Sequence, residues 1–179
     1  MADNIFLGPD AQVRFSLQML RAYEGRGKIA TEQTPIIDGV FLSTDPDANV
    51  TGEYEASAEN LLKLRMRPGK NPARWQAMHL IVGPLDLGDA AVIGVVARSQ
   101  APSSFTTRIC LRSGQDGQFV DTFFPKTMVS FAQASTHLDV LEIANLTDLP
   151  RQAQWRDLIL FFQGGDVDLN LLDLRFFVV

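Results

Sequence analysis

Residues Trp155 to Val179 read W-R-D-L-I-L-F-F-Q-G-G-D-V-D-L-N-L-L-D-L-R-F-F-V-V, and the period of this stretch decides the fold. In its first half Leu158, Leu160 and Phe162 occupy one parity, and Ile159 and Phe161 the other. That pattern predicts a strand buried on both faces. Gly164, Gly165 and Asp166 then supply a turn. In the second half Val167, Leu169 and Leu171 share a parity, while Leu174, Phe176 and Val178 share the opposite one. Side chains alternate strictly along a strand, so the switch requires an extra residue, a β-bulge near Leu172 and Asp173.

Working outward, the same period recurs. Leu62, Leu64 and Met66 alternate with Lys63, Arg65 and Arg67, giving one apolar and one cationic face. Trp75 to Val82 and His137 to Ala144 read as strands, and Ala91 to Ala97 is apolar on both parities. Phe105 to Arg112 alternates and leads into a hairpin-type loop, Ser113 to Gly117. Gln118 to Phe124 and Thr127 to Gln133 are predicted as a pair split by Pro125. Ile36 to Leu42 is a short apolar run, Thr44 to Glu59 a polar loop rich in turn formers, and Leu149 to Gln154 a linker. The total is about nine or ten short strands at regular spacing, with no strand–helix–strand alternation. The expected fold is all-β: an antiparallel β-sandwich over residues 35–179.

Residues 1–34 read as an N-terminal extension. Asp10, after Pro9, is placed to cap a short helix with Val13, Leu17 and Leu20 on one face. The helix would end near Gly25 and Gly27, with 25–35 as a connector. The alternation V-R-F-S-L admits a strand over the same residues.

Hydrophobic residues make up 46% and charged residues 21% of the 179, a globular composition with enough chain for a sizeable core. The net charge of -5 argues against charge-driven binding to nucleic acid or to an anionic membrane. A single cysteine, Cys110, allows no internal disulfide, and its apolar strand context predicts a buried, inert thiol. The N-terminus lacks a basic region followed by an apolar one, and no apolar run approaches the roughly 20 residues that span a bilayer. A soluble chain in a reducing compartment, the cytoplasm, is expected.

The order of these segments resembles a known family. A W-x-x-x-x-L strand, paired apolar strands and F-V-D-T-F-F precede W-R-D-L-I-L-F-F and a closing V-D-L-N-L-L-D-L strand. This resembles the galactose-binding-like jelly roll of carbohydrate-binding modules. In that family a Trp precedes the penultimate strand and the last strand carries a D-[VI]-x-[LI]-D-x-[LIV] pattern. Trp155 and the run Asp166-Val167-Asp168-Leu169 to Asp173-Leu174 stand in those places. The resemblance covers residues 36–179 and implies a ligand-binding, usually non-catalytic jelly roll. It also implies a saccharide ligand and admits a structural Ca²⁺.

The residues themselves offer several surfaces. Lys63, Arg65 and Arg67, about 6.8 Å apart along one strand, with Arg74 close behind, can grip a phosphate or a carboxylated sugar. A solvated or aggregation-deterring strand face is the plainer alternative. Sugar binding also uses exposed aromatic rings. Tyr54, in the polar loop, Trp75 and Trp155 are the candidates, although both tryptophans lead into apolar strands and Trp155 is expected to pack at an end of the sandwich. Asp166 and Asp168, with Asp173, offer oxygen ligands to Ca²⁺ but are equally normal turn and outward-face residues. His79 and His137 lie in no metal-binding spacing, and no G-x-S-x-G or phosphate-binding glycine motif occurs. The carboxylate pairs Asp45/Asp47 and Glu53/Glu55 are too ordinary to indicate glycoside hydrolysis. The expectation is a non-enzymatic saccharide- or anionic-glycan-binding domain, its functional surface on the Lys63–Arg74 face. The alternative is a structural subunit of a larger assembly, forming a homo-oligomer or docking a partner protein.

Overall fold

Described over residues 8–179 of a computed structural model, the chain starts with helix α1 (Ala11–Ala22) and continues through twelve strands. They are β1 (Gly25–Lys28), β2 (Gln33–Ile37), β3 (Val40–Thr44), β4 (Thr51–Ala56), β5 (Leu62–Arg67) and β6 (Gln76–Ile81), followed by β7 (Val92–Gln100), β8 (Phe105–Gln115), β9 (Gln118–Ser130), β10 (Ser135–Glu142), β11 (Trp155–Phe162) and β12 (Val167–Val178). Two six-stranded antiparallel sheets result. Sheet A runs β1-β4-β5-β12-β7-β10 and sheet B runs β2-β3-β6-β11-β8-β9. The fold is an all-β jelly-roll sandwich.

The stretch Trp155–Val179 holds both sheets together. β11 lies between β6 and β8 in sheet B, and β12 lies between β5 and β7 in sheet A. The turn between them therefore crosses from one sheet to the other. Buried Gln76 fixes this crossing by donating to the carbonyls of Gln163 and Gly165 at 2.8 and 2.7 Å. The bulge in β12 falls where the parity switch requires it, with the register on β7 shifting between Leu171 and Asp173. Leu158 and Leu160 point into the inter-sheet core with Leu64, Met66, Leu169 and Leu174. Ile159 is also fully buried, but on the opposite face of the sheet.

α1 ends at Ala22 and packs Val13, Leu17 and Leu20 into that same core against β6 and β12. Asp10 occupies the N-cap position without its side chain accepting a helix amide; its carboxylate instead meets Arg14 Nε at 3.1 Å. Residues 25–35, read as a connector, carry β1 and the start of β2, the outermost strands of the two sheets. The run Ile36 to Leu42 is broken by a hairpin at Asp38 and Gly39, whose φ of 77° glycine adopts without strain. The polar stretch 44–59 is not all loop: T-G-E-Y-E-A forms β4. Pro125 does not split two strands. It sits inside β9, an edge strand where a missing N–H leaves no ladder bond unmade. Arg108 pairs with Thr127 and Cys110 with Phe123, so Phe124, Pro125 and Lys126 bulge opposite one residue of β8. The bulge turns the Lys126 amide onto the buried Asp139 of β10 at 2.7 Å and ties the two sheet edges together. Among the described residues no helix is long and apolar enough to cross a membrane.

Candidate functional site

The cationic stripe of β5 faces outward on sheet A, as its alternation demands, but it does not stand alone. Across the sheet Arg26 faces Glu55, Glu55 faces Lys63, and Lys63 faces Asn170. One row on, Lys28, Glu53, Arg65 and Asp168 follow in order. Charge thus alternates in sign from strand to strand. Arg65 Nη1 lies 3.1 Å from Glu53 Oε1. Arg67 Nη2 holds both oxygens of Asp168 at 2.9 and 2.7 Å, and its Nε lies 3.4 Å from Asp166. These carboxylates, Asp168 first, raise the Arg67 pKa. Lys63 and Arg65 border a depression of about 350 Å³ shared with Arg26, Lys28, Glu53 and Glu55.

Of the other expected site residues, Arg74 and Trp75 lead into β6 of sheet B, while Asp166 and Asp168 close on Arg67 of the stripe. Arg74 is in the loop before β6. It closes on Asp45 through Nε and Nη2 at 2.8 and 2.9 Å and on Asp47 at 2.6 Å. These bonds, led by the Arg74 side chain, hold the buried Asp45 carboxyl far below the usual carboxylate range. Trp75 is half-buried with the Arg74 guanidinium 5.2 Å from its ring. Tyr54 is not an exposed loop residue. It is 8% exposed on the core side of β4, its ring against Gly27, and burial together with the Tyr23 hydroxyl pushes its pKa up. Asp166 and Asp168 close on Arg67, whereas Asp173 binds Arg21 at 2.9 Å and Arg175 at 2.9 Å. A donor set already neutralised by guanidinium groups does not suit Ca²⁺. Among the described residues no three His, Cys, Asp or Glu side chains come together.

The outer face of sheet B is different. Its strand register sets up four rows of side chains pointing away from the core. The first is Trp155, Gly114 and Phe119. The second is Ile81, Asp157, Arg112 and Asp121. The third runs Phe41, His79, Ile159, Cys110 and Phe123, and the fourth Ser43, Ala77, Phe161, Arg108 and Thr127. Trp155 and Phe161 are six steps apart along β11, a length of about 20 Å.

This face has an apolar floor and aromatic, polar walls. Ala77, Cys110 and Ile159 are fully buried under Phe123 and Phe161, whose rings meet at 5.9 Å. Burial pushes the Cys110 thiol up to about 12, with Asp121 adding to it. Phe41 stacks on the His79 imidazole at 4.5 Å and 9°. At the far end Trp155, 39% exposed, lies directly on Gly114; a Cβ there would come within 1.9 Å of the indole. Phe119, 54% exposed, sits beside it with the Arg112 guanidinium 4.2 Å over its ring. Arg112 is also gripped by both oxygens of Asp121 at 2.6 and 2.7 Å, which raises its pKa. Arg108 rests 4.0 Å over Phe123.

One diagonal, Ser43–His79–Asp157, has the composition of a hydrolytic triad. Ser43 Oγ lies 2.8 Å from His79 Nε2, but Nδ1 is 3.6 Å from Asp157, beyond hydrogen-bond reach. Ser43 lies on interior strand β3, opposite Gln33 and Ala77, where the backbone amides are committed to the ladders. No oxyanion hole forms at such a place.

The sequence reading points to the sheet A face; of the sheet B face it singles out only Trp155 as a candidate ring, and expects it to pack. Trp155 in particular is on the surface rather than packed in the core. The signal was present in β11 itself. An antiparallel sandwich has one core, so a strand apolar on both parities sends its second set outward: Trp155, Asp157, Ile159 and Phe161.

With this geometry the chain can be set beside known proteins. No protein-family model matches it, and no curated protein does. Solved structures do. A CBM4 carbohydrate-binding module superposes with a TM-score of 0.56 at 12% identity, covering 86% of this chain and 95% of the other. A family 11 carbohydrate-binding module from Clostridium thermocellum, in complex with a β-1,3-1,4-mixed-linked tetrasaccharide, gives 0.52 at 7% identity, over 86% and 96%. The xyloglucanase domain of NopAA, a type three effector from Sinorhizobium fredii in complex with cellobiose, gives 0.50 at 7% identity, over 87% and 99%. At these identities the likeness is one of fold: the jelly-roll sandwich of carbohydrate-binding modules, an architecture also used by a glycoside hydrolase.

Proposed function

We propose that the chain is a non-catalytic saccharide-binding domain whose ligand lies along the outer face of sheet B. The observation that carries this reading is the exposed pair Trp155 and Phe119 flanking Gly114. They set two exposed aromatic side chains in one row at one end of a row-ordered face about 20 Å long. Pyranose rings present C–H faces that stack on such rings, while their hydroxyls need side-chain donors and acceptors beside them. Asp157, Arg112, His79 and Ser43 supply these along the same face. The sandwich that the chain shares with carbohydrate-binding modules supports the same reading.

Two features favour binding without hydrolysis. The carboxylates of this face, Asp157 and Asp121, flank Arg112 in one row, and Asp121 is already held in a two-point ion pair. The Ser43–His79 pair lacks an oxyanion hole. The test is calorimetric titration with neutral and acidic oligosaccharides, followed for each binder by an assay for new reducing ends. Binding without cleavage is expected. Trp155→Ala is expected to weaken binding roughly tenfold while leaving the thermal midpoint nearly unchanged. Undiminished binding by Trp155→Ala would put the ligand elsewhere.

The second reading, a structural subunit, is favoured by Phe15 and Met19. One helical turn apart on α1, they are 62% and 48% exposed. Light scattering separates the two readings: a stable oligomer that Phe15→Ser with Met19→Ser dissolves supports the subunit.

A further inference from the structure

Resting on the saccharide reading, one residue on this face narrows the class of ligand. Arg108 and Arg112 stand four residues apart on β8, on either side of Cys110, both outward and both over a phenylalanine ring. Arg112 is compensated by Asp121. Arg108 is exposed and has no ion pair or hydrogen bond among the described residues; the Phe123 ring is its contact. Most arginines of this acidic chain are matched to carboxylates: Arg21, Arg65, Arg67, Arg74 and Arg175 all are. A guanidinium on an aromatic face keeps its in-plane N–H donors directed outward, where they fit the two oxygens of a carboxylate.

The surroundings suit a sugar acid. Phe161 and Phe123 flank Arg108, Thr127 faces it across β9, and Thr106 lies one step along the same face. Gln163 donates to Thr106 Oγ1 at 2.6 Å, putting an amide at the edge of the same patch. We infer that Arg108 reads a carboxylate and that the ligand is an acidic saccharide, a glycan chain carrying uronate residues. The net charge of -5 disfavours polyanions at long range. Recognition therefore depends on a local, geometrically matched cation rather than on overall attraction.

The experiment is isothermal titration of the full chain with two probes of equal length, a hexamer of galacturonate and cellohexaose. Titrations are run at low and at 0.5 M salt, on wild type, Arg108→Ala and Arg108→Lys. The uronate is expected to bind at least tenfold more tightly than the neutral hexamer. Salt is expected to weaken the uronate alone. Arg108→Ala should remove most of the preference, and Arg108→Lys should restore part of it. Sulfated cellohexaose, an anion without carboxylates used as a third probe, should bind more weakly than the uronate. Equal affinity for the two hexamers, or a preference that survives Arg108→Ala, overturns the inference and leaves the saccharide reading standing. No binding of any probe overturns both. Unchanged dispersion of amide resonances checks that the variants are folded.

Discussion

At the scale of single residues, the sheet B face depends on what lies beneath each exposed ring. Gly114 lets the Trp155 indole lie flat on the strand. Cys110, in the floor of this face, remains a thiol because burial disfavours the thiolate; its pKa is pushed up to about 12 from 9.0. An unfolded chain ionises this group near pH 9, whereas the folded chain holds the proton until near pH 12. Its stabilising contribution is therefore complete below pH 9 and lost as pH climbs through that window. Urea denaturation at pH 8 and pH 10.5, under reducing conditions, is expected to show a larger loss of stability for wild type than for Cys110→Ala. The difference should be on the order of 1–2 kcal/mol. Parallel losses in the two proteins would show that the thiol is not insulated. The inert thiol was legible in the sequence from apolar neighbours. The exposure of Trp155 was legible only in part: the two-sided apolarity of β11 sends one parity outward, but which parity that is depends on how the strand packs.

At the scale of elements, alternation was readable wherever a strand has one apolar face, and β5 follows it throughout. The bulge in β12 was equally legible, since a parity switch has one structural solution. Edge elements were not. β1, G-R-G-K, has no apolar side chain, and β4 hides its pattern among turn-forming residues. Both exist because β5 offers an unpaired edge that β4 fills and β1 extends. Pro125 reads as a breaker, yet the free side of an edge strand accommodates it. The β8–β9 hairpin, which carries Arg112 and Phe119, turns at Asp116 and Gly117, both left-handed with φ of 52° and 78°. This is the backbone that suits a two-residue hairpin. A Cβ on Gly117 would meet nothing within 4 Å, so Gly117→Ala tests the backbone alone. It is expected to cost about 1 kcal/mol in chemical denaturation. No measurable cost would show that the turn adopts another conformation.

At the scale of the whole molecule, the last two strands lie inside opposite sheets, so the C-terminal stretch from Trp155 completes both layers. That role was visible as two-sided apolarity. The division of labour between the outer faces was not, because it depends on which strands become neighbours. On sheet A, pairing sets Glu53, Glu55 and Asp168 beside the cations of β5 and balances the stripe that stood out in the sequence. On sheet B, pairing lines up rings and polar groups that lie far apart in the chain, from Phe41 to Phe161. The proposed binding surface is therefore the aromatic sheet and not the charged one. The measurement that tests this most directly is a two-dimensional amide and indole NMR titration with whichever oligosaccharide binds in calorimetry. The Trp155 indole and the amides around Phe119, Arg112, His79 and Phe161 are expected to shift together and saturably, while those of Lys63, Arg65 and Glu53 stay still. Shifts concentrated on the β4–β5 face, with Trp155 unmoved, would contradict it.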